Sequence, residues 1–189
     1  MTRRDLYGEA LTTNSDAAAE AFCLGMRRVL ESNYGALEAF NAAIAADPRF
    51  AMAHIGRTRA LMGEARGADA NASQADAAAL AEGTTAREKA HIALTGQLLQ
   101  GNTPQLRAAV RAHIRDYPRD VLIAQLATSV FGLIGFSGEV AREAELLAYT
   151  ESLLPHYGED WWMLAAHAIS LCETGKLSQS DAVMDRALA

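Results

Sequence analysis

The chain has 189 residues, of which 50% are hydrophobic and only 6% aromatic, and its formal net charge is −6 at pH 7. This length can bury a substantial core, and abundant alanine with few aromatic side chains favours an all-α protein over strands. The acidic balance, with no basic block, makes nucleic acid a poor partner. There is no apolar run of about 18 residues and no signal sequence, so we expect a cytoplasmic protein with no membrane partner.

The N-terminal lead-in, residues 1–12, lacks periodicity and is predicted to be extended or poorly ordered. Oxygen-bearing side chains at positions 13–16 then provide an N-cap for the first helix. Phe22 and Met26 lie on one face of that helix, and Gly25 would let a neighbouring helix approach closely. The pattern predicts a helix that packs against the next element along the chain.

The prolines indicate an internal repeat. Pro48 and Pro118 are 70 residues apart, and Pro155 follows 37 residues later. This spacing is close to two units and one unit of a 34-residue helical-hairpin repeat. The predicted units span about 13–48, 50–83, 84–118, 120–155 and 160–189, and together they make residues 13–189 a single helical-repeat domain.

The best-defined unit is 84–118. Thr85 and Glu88 have the spacing of a capping box, in which a hydroxyl and a carboxylate each accept from the other residue's backbone. Gly101 marks the turn between two helices, and Pro104 suits the first turn of the second helix. The unit is therefore predicted to be a helical hairpin.

The other units depart from this pattern. The alanine-rich stretch 65–83 is predicted to be a loosely held helix, because it offers little large apolar surface. In the fourth unit a first helix is expected to run from Val121 through Phe131 and Leu133. The fifth unit stops in mid-repeat, which predicts either a fragment of a longer protein or a last face covered by another chain.

The glycine and proline spacing is that of tetratricopeptide repeats. A more specific set of stretches occurs in order along the chain: LTTNSDAA at 11–18, DPRFAMAH at 47–54, TTAREKAH at 84–91, QGN at 100–102, YPRD at 117–120 and FGLIG at 131–135. These resemble the N-terminal half of the tetratricopeptide repeat protein 38 family. The register predicts an α-solenoid of about five tetratricopeptide-like hairpins, the last one incomplete, and the resemblance implies a helical-repeat scaffold.

The sharpest candidate for chemistry is Glu88 with His91, because the i, i+3 spacing puts a carboxylate and an imidazole on one helical face, as in carboxylate-bridged dimetal bundles. A second copy of the motif is missing from the sequence. The capping role of Glu88 is therefore the favoured interpretation, and a metal or small-molecule enzyme stays an alternative. No cofactor is predicted.

The remaining histidines and the cysteines are scattered. A lone histidine on an apolar helix face is more often a hydrogen-bonded core residue than a ligand. We expect this of His54, His113 and His167, and His156 follows Pro155. Cys23 and Cys172 are predicted to be buried thiols, since no second cysteine lies near either one.

Binding of a protein or peptide is the favoured function, because the first helices of stacked hairpins line a concave groove. The predicted groove residues are Met52, Ile55, Arg59, Gln125, Ser129, Trp162 and Ile169. Arg57 and Arg59 form a basic spot that suits a peptide carboxylate, the alternative being a solvated helix face. Of the adjacent Trp161 and Trp162, one is expected to pack inside and the other to face outward. A second hypothesis is a homo-oligomer that forms through the incomplete C-terminal repeat.

Overall fold

The computed structural model describes residues 2–189, so Met1, the first residue of the predicted lead-in, lies outside the described residues. The described chain is all-α except for one short hairpin of strands β1 (Arg3–Arg4) and β2 (Ala10–Leu11). Its helices are α1 (Asp16–Leu30), α2 (Ala36–Ala46), α3 (Ala51–Gly63), α4 (Gly67–Leu80), α5 (Ala86–Gln100), α6 (Thr103–Asp116), α7 (Val121–Ala124), α8 (Arg142–Tyr157), α9 (Trp161–Glu173) and α10 (Leu177–Leu188).

The helices form two compact units, the first ending at Gly101 and the second beginning at Asn102. In the first unit α1 packs on α2 and α3 packs on α4, while α3 also contacts α1, α2 and α5. In the second unit α8, α9 and α10 pack in succession. The boundary between the two units falls inside the predicted repeat 84–118.

In the first unit the ring of Phe40 on α2 packs against both α1 and α3. A β-carbon on Gly25 of α1 would lie 2.5 Å from the Cε1 atom of Phe40, and one on Gly56 of α3 would also collide with this ring. The predicted close approach at Gly25 is therefore confirmed. The absence of side chains at both glycines lets α1 and α3 pack directly on one phenylalanine.

The alanine-rich stretch is helical, as predicted, and forms α4. Its buried residues are Ala70, Ser73 and Ala77. The Ser73 hydroxyl donates to the backbone oxygen of His54 at 2.8 Å and accepts from Arg57 at 2.8 Å. Small side chains and buried hydrogen bonds thus join α4 to α3 where large apolar side chains are few.

The described part of the lead-in, residues 2–12, contains the β1–β2 hairpin. Residues Arg3 and Arg4 pair with Leu11 and Ala10 in an antiparallel register. Tyr7 at the turn and Leu11 in β2 are buried. Of the two alternatives predicted for residues 1–12, the described part adopts the extended one.

The prediction for the first helix of the fourth unit is wrong. This helix ends at Ala124, followed by a single 3₁₀ turn at Gln125–Ala127, and Phe131 is 83% exposed. The second helix of the unit, α8, continues through Pro155 to Tyr157. Pro155 lacks the backbone N–H that would donate to the carbonyl four residues earlier, so the last turn of α8 has one hydrogen bond fewer.

Candidate functional site

The N-terminus of α5 carries the predicted capping box, which is confirmed. The Thr85 hydroxyl accepts from the Glu88 backbone N–H at 3.2 Å, and the Glu88 carboxylate accepts from the Thr85 backbone N–H at 2.9 Å. Glu88 is completely buried. A buried carboxylate is costly unless it is hydrogen-bonded, so further donors are needed.

Residues 9–13, which we call the N-terminal strap, supply those donors. The Thr12 backbone N–H donates to Glu88 Oε1 at 2.9 Å, and the Thr12 hydroxyl donates to Glu88 Oε2 at 2.5 Å. The hydroxyl of Thr13 donates to Asp47, the residue that follows α2, at 2.5 Å. The strap therefore joins the N-terminal end of α5 to the turn that precedes α3.

Arg87 holds the strap from the adjacent position on α5. Its Nη2 atom donates to the backbone oxygen of Ala10 at 2.9 Å, and its Nε atom lies 3.5 Å from the Glu9 carboxylate. The Arg87 side chain is only 6% exposed, so these contacts satisfy a nearly buried cation. Arg87 and Glu88 together bind an extended segment through a backbone carbonyl, a backbone N–H and two side chains.

The predicted metal pair does not fit a metal site. Each oxygen of the Glu88 carboxylate already accepts hydrogen bonds, and His91 is buried one turn further along α5. Across residues 2–189 no three His, Cys, Asp or Glu side chains come together as a metal ion would require. The geometry supports the capping interpretation of Glu88.

The predicted groove residues divide by burial. Met52 and Ile55 on α3 and Trp162 on α9 are buried, so their side chains are closed to a ligand. Arg59, Gln125 and Ser129 are half-buried and Ile169 is 40% exposed. Direct contact with a ligand is therefore open to four of the predicted residues. Arg59 lies in the first unit, and Gln125, Ser129 and Ile169 lie in the second.

The two arginines of the predicted basic spot differ. Arg57 lies 2.9 Å from the Asp76 carboxylate on α4, which offsets its charge. Burial lowers the pKa of Arg59 to about 10, because a guanidinium taken out of water is less favourable as a cation. A ligand carboxylate bound at Arg59 would therefore contact a guanidinium that is already partly desolvated.

The histidine prediction is confirmed. His113 Nε2 lies 2.9 Å from Asp120, His54 Nε2 lies 3.1 Å from the Pro48 backbone oxygen and His167 Nδ1 lies 3.0 Å from the Thr150 hydroxyl. All these histidines are buried.

The predictions for the tryptophans and cysteines have different outcomes. Trp162 packs against Tyr157 with ring centroids 6.2 Å apart, whereas Trp161 is 43% exposed, as the adjacent positions predict. The prediction of two buried thiols is wrong for Cys172, which is exposed, and is met only in part by Cys23, which is half-buried.

Neither Thr12 nor Arg87 is a predicted site residue. LTTNSDAA, DPRFAMAH and TTAREKAH meet in the structure through Thr12, Thr13, Asp47, Arg87 and Glu88. Their separation along the sequence gives no sign of this contact. The exposed residues Phe136 and Val140 are likewise not predicted site residues.

No protein-family model matches the chain, and no curated protein or solved structure matches it. Among the described helices, none has both the length and the apolar composition needed to cross a membrane.

Proposed function

We propose that the chain is a non-enzymatic helical-repeat scaffold of the cytoplasm that binds an extended protein segment along the first helices of its hairpins. In this proposal the hairpins stack as a tetratricopeptide-like solenoid, related to the tetratricopeptide repeat protein 38 family. The glycine and proline register and the contacts of α3 with α1 and α5 support the stacking.

The observation that carries the proposal is the N-terminal strap. Residues 9–13 are an extended segment bound to helical elements through main-chain and side-chain contacts with Arg87 and Glu88. Main-chain hydrogen bonds give affinity for an extended peptide, and charged side chains such as Glu9 add selectivity. The first unit thus contains in its own chain the type of contact that the proposed function requires.

Arg59 is the residue of α3 that favours an acidic ligand. Arg59 lies on the same face of α3 as the buried Met52 and Ile55, and unlike them it is only half-buried. A charge-assisted hydrogen bond from a partly desolvated guanidinium is stronger than one in water. We therefore propose that the bound segment places an Asp, a Glu or a terminal carboxylate at Arg59.

The test is a selection of random 12-residue peptides displayed on phage, followed by fluorescence-anisotropy isotherms with the full chain. We expect Arg59→Glu to weaken a selected acidic peptide about tenfold or more, and Arg59→Gln to weaken it less. Arg49→Glu is the matched control, because Arg49 is exposed in the same unit. No selected peptide, or affinity that is the same in all variants, would overturn the proposal. Circular dichroism checks that each variant is folded.

Self-association through α10 is a second candidate, favoured by two apolar side chains at the ends of this helix. Leu177 is 59% exposed and Leu188 is 79% exposed. Light scattering over a hundredfold range of protein concentration tests the idea. A dimer that weakens in Leu188→Ser supports it, and a strict monomer rules it out.

A further inference from the structure

The connection between the 3₁₀ turn Gln125–Ala127 and α8 exposes large apolar side chains. We call residues 129–140 the Phe loop. In it Phe131 is 83% exposed, Phe136 78% and Val140 98%. Single exposed apolar residues are ordinary on a protein surface, but three within ten positions of one loop indicate an interaction site.

The Phe loop is held by backbone hydrogen bonds. The N–H of Leu133 donates to the oxygen of Leu126 at 2.8 Å, and the N–H of Phe136 donates to the oxygen of Gly132 at 2.9 Å. Between the two phenylalanines the side chain of Ile134 is completely buried. The loop therefore has an internal anchor while its phenylalanines face outward.

Two glycines make this backbone path sterically feasible. A β-carbon on Gly132 would lie 2.8 Å from the backbone oxygen of Leu126, and one on Gly135 would lie 2.5 Å from that of Val130. Any other residue would have to displace backbone atoms. Phe131 and Phe136 are thus presented by a defined backbone, which lowers the entropy cost of binding through them.

A pocket of about 350 Å³ lies beside Phe136. Its apolar wall includes Val130 and Leu146, and its charged residues are Arg142, Glu143 and Glu173. The Nη2 atom of Arg142 lies 3.1 Å from the Oε1 atom of Glu143, so these two charges offset each other. Within residues 2–189 Glu173 makes no ion pair, so the pocket has one uncompensated negative charge.

From these observations we infer that the Phe loop and its pocket form a docking site for a protein segment that carries a large apolar side chain next to Lys or Arg. The apolar side chain enters the pocket against Phe136, and the basic group faces Glu173. Charge complementarity selects this occupant, because an anionic membrane would be repelled by the Glu173 carboxylate. The site is built only from residues of the second unit and goes beyond the function proposed for α3.

The test uses random 12-residue peptides on phage, selected on the full chain and counter-selected on a Phe131→Ser/Phe136→Ser double variant. Selected sequences are expected to share a large apolar residue beside Lys or Arg. In anisotropy isotherms Phe136→Ser should weaken binding about tenfold or more, since aromatic anchors dominate interfaces. Glu173→Gln should weaken it about two- to fivefold, as expected for an exposed charge pair.

The controls separate this site from the other proposal. Tyr34→Ser removes an aromatic ring that is 96% exposed in the first unit and should leave affinity unchanged. Arg59→Glu should also leave it unchanged, so loss of one binding function does not imply loss of the other. Circular dichroism checks that each variant is folded.

Three results would overturn the inference. The first is the absence of peptides whose binding depends on Phe136, or selected peptides in which basic residues are not enriched. The second is sedimentation with vesicles of phosphatidylcholine and phosphatidylserine that is lost in the double variant, which would assign the loop to a membrane. The third is a dimer that is lost in the double variant, which would assign it to a second copy of the chain.

Discussion

The Glu88 carboxylate accepts two hydrogen bonds from Thr12, a residue 76 positions earlier in the chain. The same carboxylate completes the capping box at Thr85. One side chain therefore satisfies the helix terminus and fastens the N-terminal strap to α5. This double role explains why an apparent metal-ligand motif is a structural feature of the fold.

Replacement of Glu88 should destabilise the protein. Glu88→Ala leaves the backbone and hydroxyl donors of Thr12 and the backbone donor of Thr85 without their acceptor, and we expect the free energy of unfolding to fall by about 3 kcal/mol. Glu88→Gln, which turns one acceptor oxygen into a donor, should cost about 1–2 kcal/mol. Urea denaturation measures both. Glu82→Gln alters an exposed carboxylate nearby and should be neutral, and equal effects at both positions would contradict the role of Glu88.

The packing of Phe40 predicts opposite effects for two glycines of α3. Gly56→Ala pushes a β-carbon into the Phe40 ring, so we expect it to lower the free energy of unfolding by about 1–3 kcal/mol despite the better helix propensity of alanine. Gly63→Ala meets no atom within 4 Å and should stabilise by about 0.4–1 kcal/mol. Thermal or urea unfolding compares them. Two stabilising substitutions would show that the ring does not fill this space.

His167 should make stability depend on pH. Burial lowers the pKa of His167 from its ordinary 6.5, Glu151 opposes this shift, and Lys176 and Arg186 add to it. The unfolded chain then binds a proton that the folded chain does not, so stability is full above about pH 6.5 and falls as the pH decreases towards the folded-state pKa.

Urea denaturation between about pH 7 and pH 5.5 checks this pH dependence. In His167→Gln the loss of stability with falling pH should be smaller than in the wild type. His156→Gln is the control, because His156 is exposed in the last turn of α8. An unchanged slope in His167→Gln would assign the acid sensitivity to other groups.

The two cysteines should react at different rates with a thiol reagent. Burial raises the pKa of Cys23 to about 11, with a further contribution from Asp5, whereas Cys172 is exposed. At pH 8 the Cys23 thiolate is scarce, so its modification should be about a hundredfold slower than for an ordinary thiol. Cys172→Ser should remove the fast phase and Cys23→Ser the slow one. If both thiols were modified in a single fast phase, the predicted protection of Cys23 would be wrong.

Much of the fold follows from local signals. The capping box at Thr85 and the turn at Gly101 depend on neighbouring residues alone, and each is found as predicted. The close approach at Gly25 is also predicted locally, because a glycine on the apolar face of a helix leaves room for a neighbouring side chain. These features need no knowledge of distant contacts.

The parts that escaped prediction depend on tertiary contacts. The apolar composition after Val121 suggests a long first helix, yet Gly132 and Gly135 fit a coiled backbone that exposes Phe131. The strap is equally hidden, because nothing local links Thr12 to Glu88. The Phe loop and the strap are therefore harder to predict than the helices, because neither follows from a local helical pattern.

The most direct test of the scaffold function is amide hydrogen exchange with a saturating acidic peptide selected on the full chain. Binding along first helices predicts slower exchange in α3 and α5, and no change in α2 and α4 of the same unit. Protection confined to α2 and α4, or no protection in any helix of the first unit, would contradict the account.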